Sequence, residues 1–313
     1  MSQLPGLEQM EVAPRVRDAL AGRRSVVALE STLITHGLAA PMNLDAARRA
    51  ESAVRAAGAE PATIAVLGGR IRVGLSDDEL ESLAAQSEAR GARKASRATL
   101  ALCVNEGGAA GTTVSATMIC AHLAGIRVFA TGGIGGVHRG GEATLDVSAD
   151  LDELARTPVL VVCAGPKSVL DVDLTLEYLE TRGVPIVGWE TRELAGFYAR
   201  ESGRTLAGSV SDADDAARLA ATHWALGLMT GLVVAVPVPG ESALPRDEAE
   251  RAIAQAITDS ESAGIHGPAA TPFVLTRVAE LTNGRSVAAN LALIENNARV
   301  AAQIASALAA ARH

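Results

Sequence analysis

Lysine and cysteine are scarce in this sequence, and no stretch of it stays apolar for long. The three cysteines (Cys103, Cys120, Cys163) make an odd count with no CxxC pair. That excludes a disulfide or zinc framework and reads as reduced, buried thiols in a cytosolic protein. The longest apolar run, Gly231 to Pro239, is only strand-length and closes on prolines, so nothing in it spans a membrane. The opening MSQLPGLEQMEVAP has neither a basic start nor an apolar run, so no signal peptide is read and a cytoplasmic location is expected. Positive charge is in deficit: the net charge is −8 and the pI near 5.3, which argues against a nucleic-acid footprint. The six histidines lack metal-ligand spacing, and no Ser-His-Asp or Cys-His arrangement stands out.

What is present is a chain of 313 residues, 48% hydrophobic and 20% charged, which excludes disorder, collagen and coiled coil. Of its 28 basic residues only two are lysines, Lys94 and Lys167. Arginine stays protonated at working pH, whereas a desolvated lysine can become a neutral nucleophile. A chain that uses arginine at its generic cationic positions therefore draws attention to the two amines it retains.

Apolar, β-branched runs alternate with helical patterns along the whole chain. Short strands are expected at 25–29, 63–67, 71–74, 127–131, 159–163, 184–188 and 232–236, the second and third forming a hairpin over Gly68-Gly69. Helices are expected over 43–57 with Asn43 as N-cap, from a Ser76/Glu79 capping box to about Ala89, over 112–124, and from Lys167 to about Thr181. The last sixty residues read as mainly helical. This pattern predicts a single three-layer α/β/α domain over 1–313 with a central, largely parallel or mixed sheet, residues 1–14 forming a flexible lead. Ligands collect beyond the carboxyl ends of such strands. Three places qualify: Glu30-Ser31-Thr32, the glycine run after Thr131, and Ala164 to Lys167.

Each place suggests chemistry. Glu30 closes an apolar strand, where a carboxyl suits a general acid. The run Thr131 to Gly141 matches neither GxGxxG nor a P-loop but is compatible with one phosphate ester, with His138 or Arg139 nearby. Lys167 is placed at the start of a helix, where the dipole disfavours a cation and so favours a nucleophilic amine. Asp146 follows the glycine run and is a reasonable Mg²⁺ or Mn²⁺ ligand. Either Ser148 or Asp150 would cap the next helix. Lys94 is read as an anion contact or a solvated charge, and Asn290 and the Glu295-Asn296-Asn297 patch as packed polar residues.

Several segments together, ALESTLITHG (28–37), TTVSATM (112–118), ATGGIGGVHRG (130–140), DVSADL (146–151), CAGPKSVL (163–170) and TPFVLTRVAEL (271–281), resemble the pseudouridine-5'-phosphate glycosidases of the indigoidine synthase A-like family. The resemblance runs in order along nearly the whole chain. It implies a lyase that reversibly cleaves pseudouridine 5'-phosphate to uracil and ribose 5-phosphate. It also implies a Mn²⁺ cofactor, with Mg²⁺ as the alternative, and a homotrimer. By matching positions, Lys167 would form a Schiff base at ribose C1' and Glu30 would donate a proton to open the sugar ring. Lys94, Val114, Ser148, Ala149, Asp150 and Asn290 would line the substrate, and Asp146 would hold the metal. Pro166, just before the nucleophile, removes a backbone N–H and stiffens its approach. A Schiff-base aldolase for another phosphosugar and a non-catalytic phosphosugar-binding protein are the rival readings; base release and a covalent adduct separate them.

Overall fold

The computed structural model describes residues 7–88, 91–265 and 270–311. Its strands, in chain order, are β1 (Met10–Val12), β2 (Val26–Leu29), β3 (Glu60–Leu67) and β4 (Arg70–Val73). After these come β5 (Arg93–Ala95), β6 (Ala110–Thr112), β7 (Val128–Ala130) and β8 (Leu160–Cys163). The last three are β9 (Ile186–Trp189), β10 (Gly208–Val210) and β11 (Leu232–Ala235). They form one sheet in the order β1-β4-β3-β2-β7-β8-β11-β9-β10, with β6 pairing to β3 and β5 to β6. Every neighbour from β3 to β10 is parallel; the β3–β4 hairpin and the β3–β6 pair are antiparallel. The expected largely parallel sheet is therefore what the chain builds.

Two cores account for the three layers. Val27 and Leu29, Val128 and Ala130, Leu160 and Val162 point to one face, under the helices Met42–Ala56, Ala213–Ala225 and Arg285–Ala310. Val26 and Ala28, Phe129, Val161 and Cys163 point to the other, under Pro14–Ala21, Val114–Ala124 and Val172–Thr181. Strands buried on both faces need no polar alternation, which is why these runs read as continuously apolar. Each fully buried Val or Leu contributes about 1.5–3 kcal/mol.

Some expected boundaries move. Met10–Val12 pairs with β4, so part of the expected flexible lead is a strand; residues 1–6 lie outside the described residues. The helix expected from residue 43 begins at Met42, and Asn43 turns inward, its Nδ2 donating to Ile34 O at 2.9 Å. Ser76 and Glu79 form their capping box, while the expected end of that helix, Ala89, lies outside the described residues. Residue 112 ends β6, and the helix starts at Val114 with Thr113 as its cap. The largest shift concerns Lys167. Its helix starts only at Val172, capped by Asp171, so Lys167 sits on the turn after β8 and gains nothing from a helix dipole.

Candidate active site

Strands β2, β7 and β8 are neighbours and parallel, so their carboxyl ends lie side by side. Glu30 is the first residue beyond β2, Thr131 the first beyond β7 and Ala164 the first beyond β8. The pairing continues into the loops. Ile134 N donates to Gly165 O at 3.1 Å and Lys167 N to Ile134 O at 3.0 Å, with Ile134 opposite Pro166. This ladder uses the carbonyl before Pro166 and the N–H after it. The missing proline N–H is not needed, and Pro166 leaves the backbone of Lys167 fixed.

Glu30 is held at both oxygens. Thr32 Oγ1 donates to Oε2 at 2.6 Å, and Thr131 Oγ1 donates to Oε1. Lys94 arrives from β5, whose register places it opposite Gly111 on β6. A side chain at Gly111 would collide with Thr35 Oγ1 and Ser31 O, so only glycine lets the 31–37 segment pack beside β5 and β6. The charges of Lys167, Asp150 and Glu30 all act on Lys94. Lys94 keeps part of its surface exposed, yet burial of its amine lowers its pKa most, and the Lys167 charge lowers it further. Among the described residues no hydrogen bond or ion pair engages either lysine amine. His36, on a single π-turn over Leu33–Gly37, is lowered first by burial and then by Lys94. Cys163, beneath the same groups, feels both Lys167 and Glu30; burial pushes its thiol up to about 12. All three cysteines are free and buried, as expected.

The remaining candidates divide. Asp150 is buried, its Oδ1 accepting from Ser115 N and its Oδ2 from Gly135 N, each at 2.9 Å. Ser148, not Asp150, is the helix cap. Ala149 is exposed beside it. Val114 has its side chain in the core, which leaves only its main chain to meet a ligand. Asn290 lies against the end of β7: its Oδ1 is 3.7 Å from where a Cβ on Gly132 would stand. Thr32, Thr131 and His36 were not singled out as site residues from sequence; being the residues immediately around the strand ends was their only signal.

Part of the glycine run's backbone is committed to the fold. The N–H groups of Thr131, Ile134, Gly135, Val137 and His138 all bond within the fold. Its glycines also admit close neighbours: a Cβ at 133 would strike Phe197, at 135 Ser148, and at 136 Thr175. Arg139 lines a cleft of about 590 Å³ with Pro166 and Ser168, which flank Lys167, and with Phe197, Arg204 and Arg246. Asp146 stands on the following loop, its side chain 48% exposed, with His138 Nδ1 4.0 Å away. No cluster of three or more His, Cys, Asp or Glu side chains forms among the described residues. One hard oxygen donor in open solvent fits an ion that keeps most of its waters, such as Mn²⁺ or Mg²⁺.

The profile described as indigoidine synthase A-like protein matches residues 15–307. The chain belongs to that family. It is 52% identical over 296 residues to the pseudouridine-5'-phosphate glycosidase of Caldanaerobacter subterraneus, covering 95% of each chain. The enzyme of that name from Escherichia coli is 49% identical, again with 95% of each chain covered. Among solved structures, the prealnumycin C-glycosynthase AlnA in complex with ribulose 5-phosphate superimposes with a TM-score of 0.89 at 40% identity, covering 97% of this chain and 98% of that one. An indigoidine synthase A-like protein from Thermotoga maritima gives 0.85 at 36% identity, covering 96% of each. The family therefore extends over the whole three-layer domain and all three strand ends. No described helix is long and apolar enough to cross a membrane.

Proposed function

We propose that this protein is a pseudouridine-5'-phosphate glycosidase, reversibly converting pseudouridine 5'-phosphate and water to uracil and ribose 5-phosphate. One observation carries the chemistry: the only two lysines of the chain, 73 residues apart in sequence, feel each other's charge, and Lys94 also feels Glu30, a carboxylate held by two threonine hydroxyls. A C–C glycosidic bond has no heteroatom leaving group to protonate, so it needs an electron donor on C1' that can push the bonding pair onto the base. In this reading Glu30 gives a proton to the ring oxygen as its bond to C1' breaks, and the Lys167 amine, losing a proton, bonds to C1'. The C1'–C5 bond then breaks as uracil C5 takes a proton and the nitrogen lone pair forms the C=N bond. Water hydrolyses the imine and frees Lys167. Lys94 holds the phosphate, and Asn290 and the main chain at Val114 line the cleft with Ser148 and Ala149. Asp150 shapes that cleft through its backbone bonds. Asp146 would hold Mn²⁺ or Mg²⁺, which supplies a local positive charge for an anionic substrate.

The test is borohydride reduction of protein mixed with ribose 5-phosphate, followed by peptide mass mapping, alongside uracil release with Mn²⁺, Mg²⁺ or a chelator. An adduct on Lys167 and loss of turnover in Lys167→Ala are expected. An active Lys167→Ala enzyme overturns the imine; an adduct on Lys94 reverses the two lysines' roles. Unchanged activity in chelator removes the metal from the reading.

A further inference from the structure

Asn297 lies on the long helix Arg285–Ala310, fully buried, in a patch that reads from sequence as packed and satisfied. It is packed, but only its amide nitrogen is satisfied. Nδ2 donates to Thr131 O at 2.9 Å and to Gly132 O at 3.4 Å, while Oδ1 has no partner among the described residues. Two carbonyl acceptors fix which end of the amide is nitrogen. An unpaired buried acceptor is unfavourable, and an apolar side chain of similar size would not carry it. The position is thus occupied by an amide for what its N–H₂ does.

What it does is hold a junction. Thr131 N bonds to Val162 O, and Gly132 O also accepts from Ala164 N at 2.9 Å, so the peptide that Asn297 grips ties the end of β7 to the end of β8. From that peptide the Thr131 hydroxyl reaches Glu30 Oε1. We propose that Asn297 is a positioning residue for Glu30, locking the Thr131 peptide so that its hydroxyl aims the carboxyl at the sugar ring. The inference rests on the reading of Glu30 as the proton donor. Asn297 is fully buried and makes no bond to Glu30 itself; its link to that carboxylate runs through Thr131.

That dependence gives the test. Asn297→Asp keeps the shape but turns a donor into a group that repels two carbonyls. Its kcat for pseudouridine 5'-phosphate cleavage is expected to fall about 10–100-fold with KM within about twofold, because misplacing a catalytic group acts on the chemical step. Thr131→Val is expected to fall similarly. The double variant should then be no more than about twofold below the worse single, since both remove one link. Multiplying effects, or a kcat for Asn297→Asp within twofold of wild type, overturns the proposal. If Asn297→Asp does not fold, as judged by thermal melting, Asn297→Ser replaces it in the same cycle with the same criteria. Glu30→Gln separates the two levels. If it is inactive and the cycle is multiplicative, only the Asn297 proposal fails; if it is fully active, the reading of the site fails and takes the proposal with it.

Discussion

Lys94 and Lys167 repel each other, and the repulsion has a pH signature. Burial and the Lys167 charge hold the Lys94 pKa below the usual lysine range, with Asp150 and Glu30 opposing them. A phosphate binds the cationic amine, so affinity is full below the Lys94 pKa and is lost as pH rises through it. Because that pKa is lowered, the loss comes earlier than for a solvated lysine. Calorimetric titration with ribose 5-phosphate should show the dissociation constant rising on the alkaline side, and Lys94→Met should bind weakly with that limb gone. An alkaline limb that survives in Lys94→Met assigns the phosphate to other groups. His36, lowered first by burial and then by the same amine, shares this environment.

At the scale of elements, Asp150 is a clamp. One carboxylate bonds the first turn of the helix Val114–Ala124 and the glycine run together. Asp150→Ala leaves two buried N–H groups unpaired and should lower unfolding stability by about 2–5 kcal/mol, read from urea denaturation. A loss under about 1 kcal/mol means that water replaces the carboxylate. This clamp also marks the limit of what a sequence makes legible. The strand ends bearing Glu30 and Lys167 were readable, because apolar runs stop abruptly there and the connection rule names the carboxyl ends. The helix start after Lys167 was misplaced by five residues, since Asp171, a good cap, competes with a turn whose bonds come from Ile134 and Val137. Composition makes the glycine run compatible with a phosphate ester, but it cannot show that Gly133, Gly135 and Gly136 are also where Phe197, Ser148 and Thr175 pack close. Asn297 reads from sequence only as a packed polar residue, because its partners are main-chain carbonyls 166 and 165 residues away, which carry no sequence signal.

For the whole molecule, the sheet places Glu30, Thr131 and Lys167 on three adjacent strands whose partners extend to both sides. Leu226, Leu228 and Met229 remain exposed together after the helix Ala213–Ala225. We propose a homotrimer, and light scattering should then return three times the 32.0 kDa chain mass. A mass equal to one chain at micromolar concentration rejects it. That the two lysines feel each other's charge has a further consequence. On the proposed roles of Lys94 and Lys167, the chain's only lysines, coupling an acylating reagent or an amine-reactive support through lysine and loss of function become one event. The outer surface answers instead to guanidinium and carboxyl chemistry. On that reading, bound ribose 5-phosphate should slow lysine acylation, as followed by peptide mass mapping.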